Sequence, residues 1–272
     1  MKTMILDNNI DNIKVYDECK IDRIFVDLEI HGKQDRQGHL NTVISNHTLE
    51  DVKAIKPILK NSQLLVRVNP IHPNSASEIH YAIENGADIV MLPMFKTIEE
   101  VKLFIDYVDQ KATVCLLLET SEALCKIDTI LELEGIDEIH IGLNDLHLAM
   151  GLDFMFELMG RGIVEYLAYK IKQKNIPFGV GGVARMNEGM LMGKMIIAEH
   201  VRIGSSMVIL SRTFKGEDNS LSQETLSHEL KKLQDCYNNA KSLSQEELEI
   251  NKKTLDKIAI DIAQLFKNKR GG

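Results

Sequence analysis

The sequence predicts an α/β protein whose eight parallel strands close into a barrel, with a helical extension at its C-terminal end. Short apolar runs recur along the chain, helical patterns separate them, and two polar helices follow the last run. The runs are almost continuously apolar, which is typical of strands buried on both faces of a parallel sheet. Eight strand–helix units therefore indicate a TIM barrel. An open, doubly wound sheet is the main alternative, but no G-x-G-x-x-G follows the first strand.

The candidate strands can be taken in chain order. We predict them at residues 3–6, 23–29, 63–70, 88–94, 113–119, 138–145, 177–182 and 200–206. Helix start signals occur between them. Ser75 with Glu78, and Thr97 with Glu100, have the spacing of a capping box, in which a hydroxyl and a carboxylate accept hydrogen bonds from backbone N–H groups of the first turn.

Composition narrows the class of protein. The chain has 272 residues, of which 44% are hydrophobic, and a net charge of −8, so we expect no nucleic-acid partner. No apolar stretch approaches the length of a membrane span, and we expect no signal peptide. The four cysteines are scattered without a C-x-x-C pair, which is typical of reduced thiols. A cytoplasmic enzyme is the expectation.

The polar segment after Phe214 divides the chain into a predicted catalytic barrel, residues 1–215, and a helical extension, residues 216–272. Apolar residues recur on one face of each helix of the extension. In the first helix these are Leu226, Leu230, Leu233 and Tyr237, and in the second, opened by Ser244 and Glu247, they are Leu255, Ile258, Ile262 and Leu265. The two faces pack either on the barrel or against another subunit. We expect a homo-oligomer, because eight units leave no barrel position for further helices.

Polar residues stand at the ends of several predicted strands. In a TIM barrel the C-terminal ends of the strands form the active site. Glu119 ends an apolar strand, where an uncompensated carboxylate would be costly to bury. Asn144 and Asp145 end the next strand, so Glu119 and Asp145 together suit Mg²⁺ or Mn²⁺. Alternatively, each carboxylate only caps the helix that follows it.

Arg67, at the end of the third strand, offers a planar fork that matches a substrate carboxylate. A divalent cation beside an arginine suits a 2-oxo acid, because the cation acts as a Lewis acid for the enolate that forms. These residues predict a small-molecule 2-oxo acid as substrate, and the resemblance described next adds a related acyl substrate as an alternative.

Five stretches carry a resemblance to a known family: RIFVDLE, VRVNP, GADIVMLPMFKTIEEV, LLLETSEAL and GIDEIHIGLNDLHLAMG. They occur in order within about residues 20–206, and together they resemble the HpcH/HpaI aldolases and citrate lyase β-type enzymes of the phosphoenolpyruvate/pyruvate barrels. The resemblance implies a TIM barrel, a divalent metal, and carbon–carbon bond cleavage or formation through a pyruvate-type enolate.

The resemblance also assigns roles. Glu119 and Asp145 match the metal ligands, Arg67 matches the arginine that contacts the 2-oxo acid, and the backbone around Asn144 and Asp145 matches the loop that receives the substrate carboxylate. The aldolase base is a histidine directly after an acidic residue at the end of strand two. Here Ile30 follows Glu29, and the histidine is His31.

Glu84 matches the acidic partner of that histidine. Leu117 stands where the aldolases usually have glutamine. The chain is therefore a divergent member of the family, and neither branch supplies its substrate.

Two further segments are candidates for substrate contacts. In the polar stretch 31–48 we expect His31, Arg36 and Gln37 to face the substrate, although a solvated loop would have the same composition. The glycine-containing stretches 179–185 and 203–206 either bind phosphate or only form tight turns.

Three functions remain open from the sequence. The chosen hypothesis is a metal-dependent carbon–carbon lyase with Mg²⁺ or Mn²⁺, in which His31 or a metal-bound water moves the proton. The alternatives are a metal-independent phosphosugar isomerase-type barrel with Glu119 as base, and a non-catalytic barrel that binds a 2-oxo acid.

Overall fold

The computed structural model describes residues 1–30, 47–215 and 222–270, and its eight parallel strands form a closed barrel in the order β1 to β8. The TIM barrel prediction is confirmed. The strands are β1 Lys2–Leu6, β2 Arg23–Asp27, β3 Gln63–Arg67, β4 Ile89–Leu92, β5 Thr113–Leu118, β6 Glu138–Ile141, β7 Phe178–Val183 and β8 Met207–Leu210.

Helices surround the barrel and follow it in the chain. They are α1 Ile10–Glu18, α2 Leu49–Ile55, α3 Ser75–Glu84, α4 Ile98–Val108, α5 Ser121–Cys125, α6 Ile127–Ile130, α7 Leu143–Ala149, α8 Glu157–Gly160, α9 Ile163–Gln173, α10 Gly193–Ile203, α11 Gln223–Lys241 and α12 Gln245–Arg270. Short 3₁₀ turns cover Lys56–Ile58 and Arg212–Lys215. None of the helices in the described ranges is long and apolar enough to cross a membrane.

Seven predicted strands overlap observed ones, but the eighth was placed wrongly. Residues 200–203 belong to α10, and β8 begins only at Met207. Ile196, Ile197, His200 and Ile203 are buried at helical spacing, so the apolar run there belongs to a helix face. Gly204, with φ of 83°, ends that helix. The stretch 203–206 therefore lies before β8, at the opposite end of the barrel from the strand C-termini.

The barrel interior has an apolar layer and, below it, an ion pair. The layer includes Met4, Phe25, Leu65, Met91 and Leu117. At the N-terminal ends of the strands, Arg23 of β2 and Glu138 of β6 are both buried. The Arg23 Nη1 and Nη2 groups donate to the two Glu138 carboxylate oxygens over 2.5 and 2.9 Å. These groups fill the lower barrel and leave the other end for a ligand.

One of the two predicted capping boxes is present, and a further box forms where Ser244 and Glu247 were expected to open a helix. Thr97 with Glu100, and Ser244 with Glu247, make the reciprocal bonds at the starts of α4 and α12. The box predicted at Ser75 and Glu78 was wrong, because Glu78 is engaged elsewhere.

The Glu78 carboxylate accepts from Asn69 Nδ2 over 2.8 Å, and its other oxygen lies 2.9 Å from His72 Nε2. Asn69 in turn accepts from the Ile30 backbone N–H. Glu78 thus joins the segments that follow β2 and β3.

The extension packs on the barrel helices, α11 against α10 and α12 against α10 and α8. Leu226, Leu233, Tyr237, Leu255 and Ile262 are buried in the main core, whereas Leu265 is 59% exposed. Much of the two apolar faces is therefore covered within the chain. The homo-oligomer stays a prediction, and this covering leaves less apolar surface for another subunit.

An ion network centred on the buried Arg202 reinforces the packing of the extension. Arg202 of α10 pairs bidentately with Glu199 and also with Glu165 of α9 and Glu249 of α12, at N–O distances of 2.7 to 3.0 Å. Because Arg202 contacts three helices, it helps to hold α12 in place.

Candidate active site

A cavity of about 240 Å³ opens at the C-terminal ends of the strands. Its described walls divide into two halves. Strands β2, β3, β5 and β6 bring charged groups, and strands β7, β8 and β1 bring glycines and aliphatic side chains. The charged residues are Asp27, Arg67, Glu119 and Asp145, and the uncharged wall consists of Gly181, Gly182, Ile209 and Leu6.

Glu119 lies directly after β5, where the strand enters the cavity. Alternation along β5 turns Leu117 and Glu119 toward the barrel interior, while Leu116 and Leu118 pack in the outer core. Glu119 is 3% exposed, and its Oε1 accepts from the Met94 backbone N–H over 3.2 Å. Thr120 caps α5 by accepting from the Ala123 N–H. Glu119 is therefore not the helix cap.

The pKa of Glu119 is raised well above its ordinary value. Burial is the largest cause, and it outweighs the opposing effect of Arg67. The carboxylates of Asp145 and Glu29 raise the pKa further. A second positive charge, in addition to Arg67, would therefore stabilise the ionised form of Glu119 at this position.

Asp145 reaches the cavity from the first turn of α7, and Gly142 is the N-cap residue of that helix. A Cβ on Gly142 would lie 2.8 Å from both Cβ and Oε2 of Glu119. The missing side chain at residue 142 thus lets the ends of β5 and β6 approach each other. This approach brings the Glu119 and Asp145 carboxylates into one cavity.

Arg67 is held in place by acidic neighbours. Its Nε and Nη2 donate to the two Asp27 oxygens over 2.8 and 2.9 Å, and Nη2 lies 3.2 Å from Glu29 Oε2. Burial acts to lower the pKa of Arg67, but Asp27 and Glu29 outweigh it and raise the pKa. Its guanidinium carbon also lies 5.6 Å from the centre of the Phe25 ring. Its Nη1 group makes no hydrogen bond to any residue in the described ranges.

The structure brings together four of the residues chosen from the sequence. Arg67, Glu119, Asn144 and Asp145 all line the cavity. Glu84 does not join them: it is exposed at the C-terminal end of α3, and that helix end faces the N-terminal ends of the strands. The other three candidates, His31, Arg36 and Gln37, lie outside the described residues.

Two residues of the site were missed as functional candidates. Asp27 was not among the residues chosen, yet its bidentate bonds fix Arg67. His140 was overlooked inside the apolar run of β6, where it alternates with outward-facing Ile139 and Ile141 and lines the cavity. The period-two pattern of β6 could have placed His140 on the same interior face as Glu138.

The oxygen donors at this mouth fit Mg²⁺ or Mn²⁺. These cations typically use one or two protein carboxylates and complete their shells with water and substrate oxygens. Glu119 and Asp145 supply two such carboxylates in one cavity. Within the described ranges no group of three or more His, Cys, Asp or Glu residues is arranged to hold a metal. The described residues therefore do not form a site in which protein ligands alone coordinate a cation.

The fold and the cavity define a TIM barrel with an acidic site at its mouth. The sequence model of the HpcH/HpaI aldolase/citrate lyase family matches residues 6–155, more than half of the chain. The chain belongs to this family, and membership points to an aldolase or citrate lyase-type lyase.

A solved structure, described as that of an HpcH/HpaI aldolase from Desulfitobacterium hafniense DCB-2, is similar in fold. The two share 15% sequence identity with a TM-score of 0.57, and the match covers 77% of this chain and 85% of that one. At this identity the likeness supports the fold alone. No curated protein sequence matches the chain.

Proposed function

We propose that the protein is a carbon–carbon lyase or aldolase that depends on Mg²⁺ or Mn²⁺ and acts through a pyruvate-type enolate on a 2-oxo acid or a related acyl substrate. Family membership supports the reaction class. The single observation that carries the metal dependence is the buried Glu119, whose pKa is raised by burial and by neighbouring carboxylates while Asp145 lines the same cavity.

Each residue at the mouth has a distinct task in this proposal. Glu119 and Asp145 hold the divalent cation. When bound, the cation supplies Lewis-acid stabilisation for negative charge that develops on the 2-oxo acid. Arg67 is oriented by Asp27, and its Nη1 group donates to the substrate carboxylate. The bidentate hold on Arg67 keeps this donor in one orientation before substrate binds.

We assign proton transfer to His31, which stands one position after the place of the family's base and lies outside the described residues. Glu84 is at the other end of the barrel in this chain, so it does not orient a base at the mouth. Asp27 and Glu29 are the acidic groups of the second strand and its continuation, and both are occupied with Arg67. They fix the arginine, and the proton carrier comes from another residue.

Exchange of the methyl protons of pyruvate in D₂O, followed by NMR, tests the proposal. We expect exchange with Mg²⁺ or Mn²⁺, none after EDTA, and its loss in Glu119→Gln, which keeps the side-chain shape but removes the charge. Glu99→Gln is the matched control, because Glu99 is exposed in the first turn of α4. Exchange that survives both EDTA and Glu119→Gln would contradict the proposal.

The two alternatives give different results in the same experiment. A non-catalytic barrel would bind Mn²⁺ and pyruvate by calorimetry without any proton exchange. A phosphosugar isomerase-type barrel would bind sugar phosphates in EDTA and show no stabilisation by metal. Either pattern would replace the lyase proposal.

A further inference from the structure

His140 is a buried histidine at the cavity whose bonding state can be assigned from its neighbours. Its Nε2 lies 3.1 Å from the carbonyl oxygen of Gly181. A carbonyl oxygen only accepts, so Nε2 carries a hydrogen and donates it. Burial lowers the pKa of His140 to about 4, and the ring is therefore neutral near pH 7. It follows that Nδ1 carries no hydrogen, and this buried atom has no hydrogen-bond partner in the described structure.

The histidine ring and Gly179 occupy neighbouring space. His140 and Gly179 are direct partners in the pairing of β6 with β7. A Cβ added to Gly179 would collide with Nδ1 and would lie 2.9 Å from Cε1 of the ring. The imidazole ring therefore fits at this position only because residue 179 has no side chain, and it packs directly against β7.

The segment that accepts the hydrogen bond is irregular. Gly179 pairs with Met207 and Gly182 with Ile209, so β7 contains one residue more than β8 over this interval, which is a β-bulge. Gly181 has φ of 45°, and a Cβ there would lie 2.6 Å from Leu143 Cδ1. The bulge breaks the regular ladder, and the bond from His140 supplies a partner to the Gly181 carbonyl within it.

The bulge forms part of the uncharged wall of the cavity. The groups proposed to hold the metal and the 2-oxo acid come from β3, the residue after β5 and the first turn of α7, whereas Gly181 and Gly182 lie on β7. The second component of a carbon–carbon lyase reaction must lie beside the enolate carbon, and the uncharged wall is the side of the cavity that these groups leave free. Backbone without side chains, next to Ile209 and Leu6, suits an uncharged aldehyde at that position.

We propose that His140 is a positioning residue, whose hydrogen bond to the Gly181 carbonyl holds the bulged end of β7 as the wall that receives the acceptor aldehyde. This inference rests on the proposed lyase function and adds a subsite to it. In the reaction, pyruvate loses a methyl proton, its C3 bonds to the aldehyde carbon, and the aldehyde oxygen gains a proton. The product is the sum of the two reactants, so no oxidant or further reactant is needed.

Kinetics with pyruvate and propanal test the proposal. His140→Leu removes the donor, and His140→Gln restores one, because the glutamine Nε2 can occupy nearly the same position. We expect His140→Leu to raise KM for propanal on the order of tenfold, the scale of one lost hydrogen bond in a buried site. His140→Gln should restore KM to within a few fold of wild type.

Proton exchange of pyruvate alone provides the internal control. We expect both variants to exchange the methyl protons at close to the wild-type rate, because the hydrogen bond of His140 is made to Gly181 of β7 and not to Arg67, Glu119 or Asp145. An unchanged KM for propanal in a folded His140→Leu variant would overturn the inference, as would an equal loss of exchange and addition. Absence of exchange in the wild type would instead overturn the proposed function. Thermal unfolding identifies a variant that fails to fold, and His140→Met, which also lacks the donor, then replaces His140→Leu in the comparison with His140→Gln.

Discussion

Replacing Asp27 with asparagine tests whether the carboxylate that orients Arg67 is part of the working site. Asp27 is fully buried and makes both bonds of a bidentate pair with Arg67, while Glu29 remains 3.2 Å from Nη2. Asparagine can accept only one of the two bonds, and its amide NH₂ would face a guanidinium that also donates. The substitution therefore removes a charge and one hydrogen bond while it keeps the shape.

The magnitude follows from the burial of this pair. Removing one partner of a buried ion pair typically costs about 3–5 kcal/mol. Because Glu29 still faces Arg67, we expect the lower end, about 3 kcal/mol in the free energy of unfolding. If the displaced arginine also lowers transition-state binding by about 1.4–2.8 kcal/mol, kcat/KM falls on the order of 10- to 100-fold.

Urea unfolding and pyruvate proton exchange measure the two effects. Glu132→Gln is the control, because the Glu132–Lys174 pair has an N–O distance of 2.7 Å but lies exposed. Its removal should change stability by about 0.5 kcal/mol or less. The reasoning fails if Asp27→Asn is as stable as Glu132→Gln, or if it retains wild-type exchange.

Two further predictions concern buried histidines and the glycine beside the metal site. The pKa values of His140 and His200 are lowered by burial to about 4 and about 3, from an ordinary 6.5. The unfolded chain therefore binds protons first as the pH falls below 6.5. Urea unfolding should show up to about 1.4 kcal/mol of stability lost per pH unit for each histidine between pH 6.5 and pH 4. His140→Gln should remove the part of this loss that is due to His140. An equal change of the unfolding free energy with pH in the variant and the wild type would contradict the prediction. Gly142→Ala places a methyl group against Glu119. The substitution should weaken Mn²⁺ binding, measured by calorimetry, at least tenfold. Wild-type affinity in a folded variant would show that the close approach of Gly142 to Glu119 is not needed for metal binding.

The strand pattern made most of the fold predictable. Runs buried on both faces are continuously apolar, so seven strands could be located, and the carboxylates after β5 and β6 could be assigned to one barrel mouth. The eighth strand was misplaced because α10 is itself buried from Met195 to His200, so its sequence resembles that of a buried strand. Local apolarity alone cannot distinguish a buried helix from a buried strand.

Contacts between distant residues were the part that the sequence did not reveal. Glu78 has the spacing of a capping residue, but Asn69 and His72 occupy its carboxylate. The bond from His140 reaches Gly181, 41 positions further along the chain. Neither partner follows from periodicity, because each depends on how two strand ends or loops meet in the closed barrel.

The charges at the mouth also predict an order of binding. Arg67 is already paired with Asp27 and Glu29, so it offers directed N–H groups and little unpaired positive charge to an incoming anion. Glu119 is destabilised in its ionised form by burial and by Asp145. A divalent cation relieves this destabilisation, whereas a 2-oxo acid carboxylate adds one more negative charge to it. The cation should therefore bind first and raise the affinity for pyruvate.

Calorimetry should show pyruvate binding at least tenfold weaker in EDTA than in saturating Mn²⁺, a coupling of about 1.4 kcal/mol or more. Linkage requires pyruvate to tighten Mn²⁺ binding by the same factor. Equal affinity for pyruvate with and without the cation would show that Arg67 binds the 2-oxo acid independently of the carboxylates that face it.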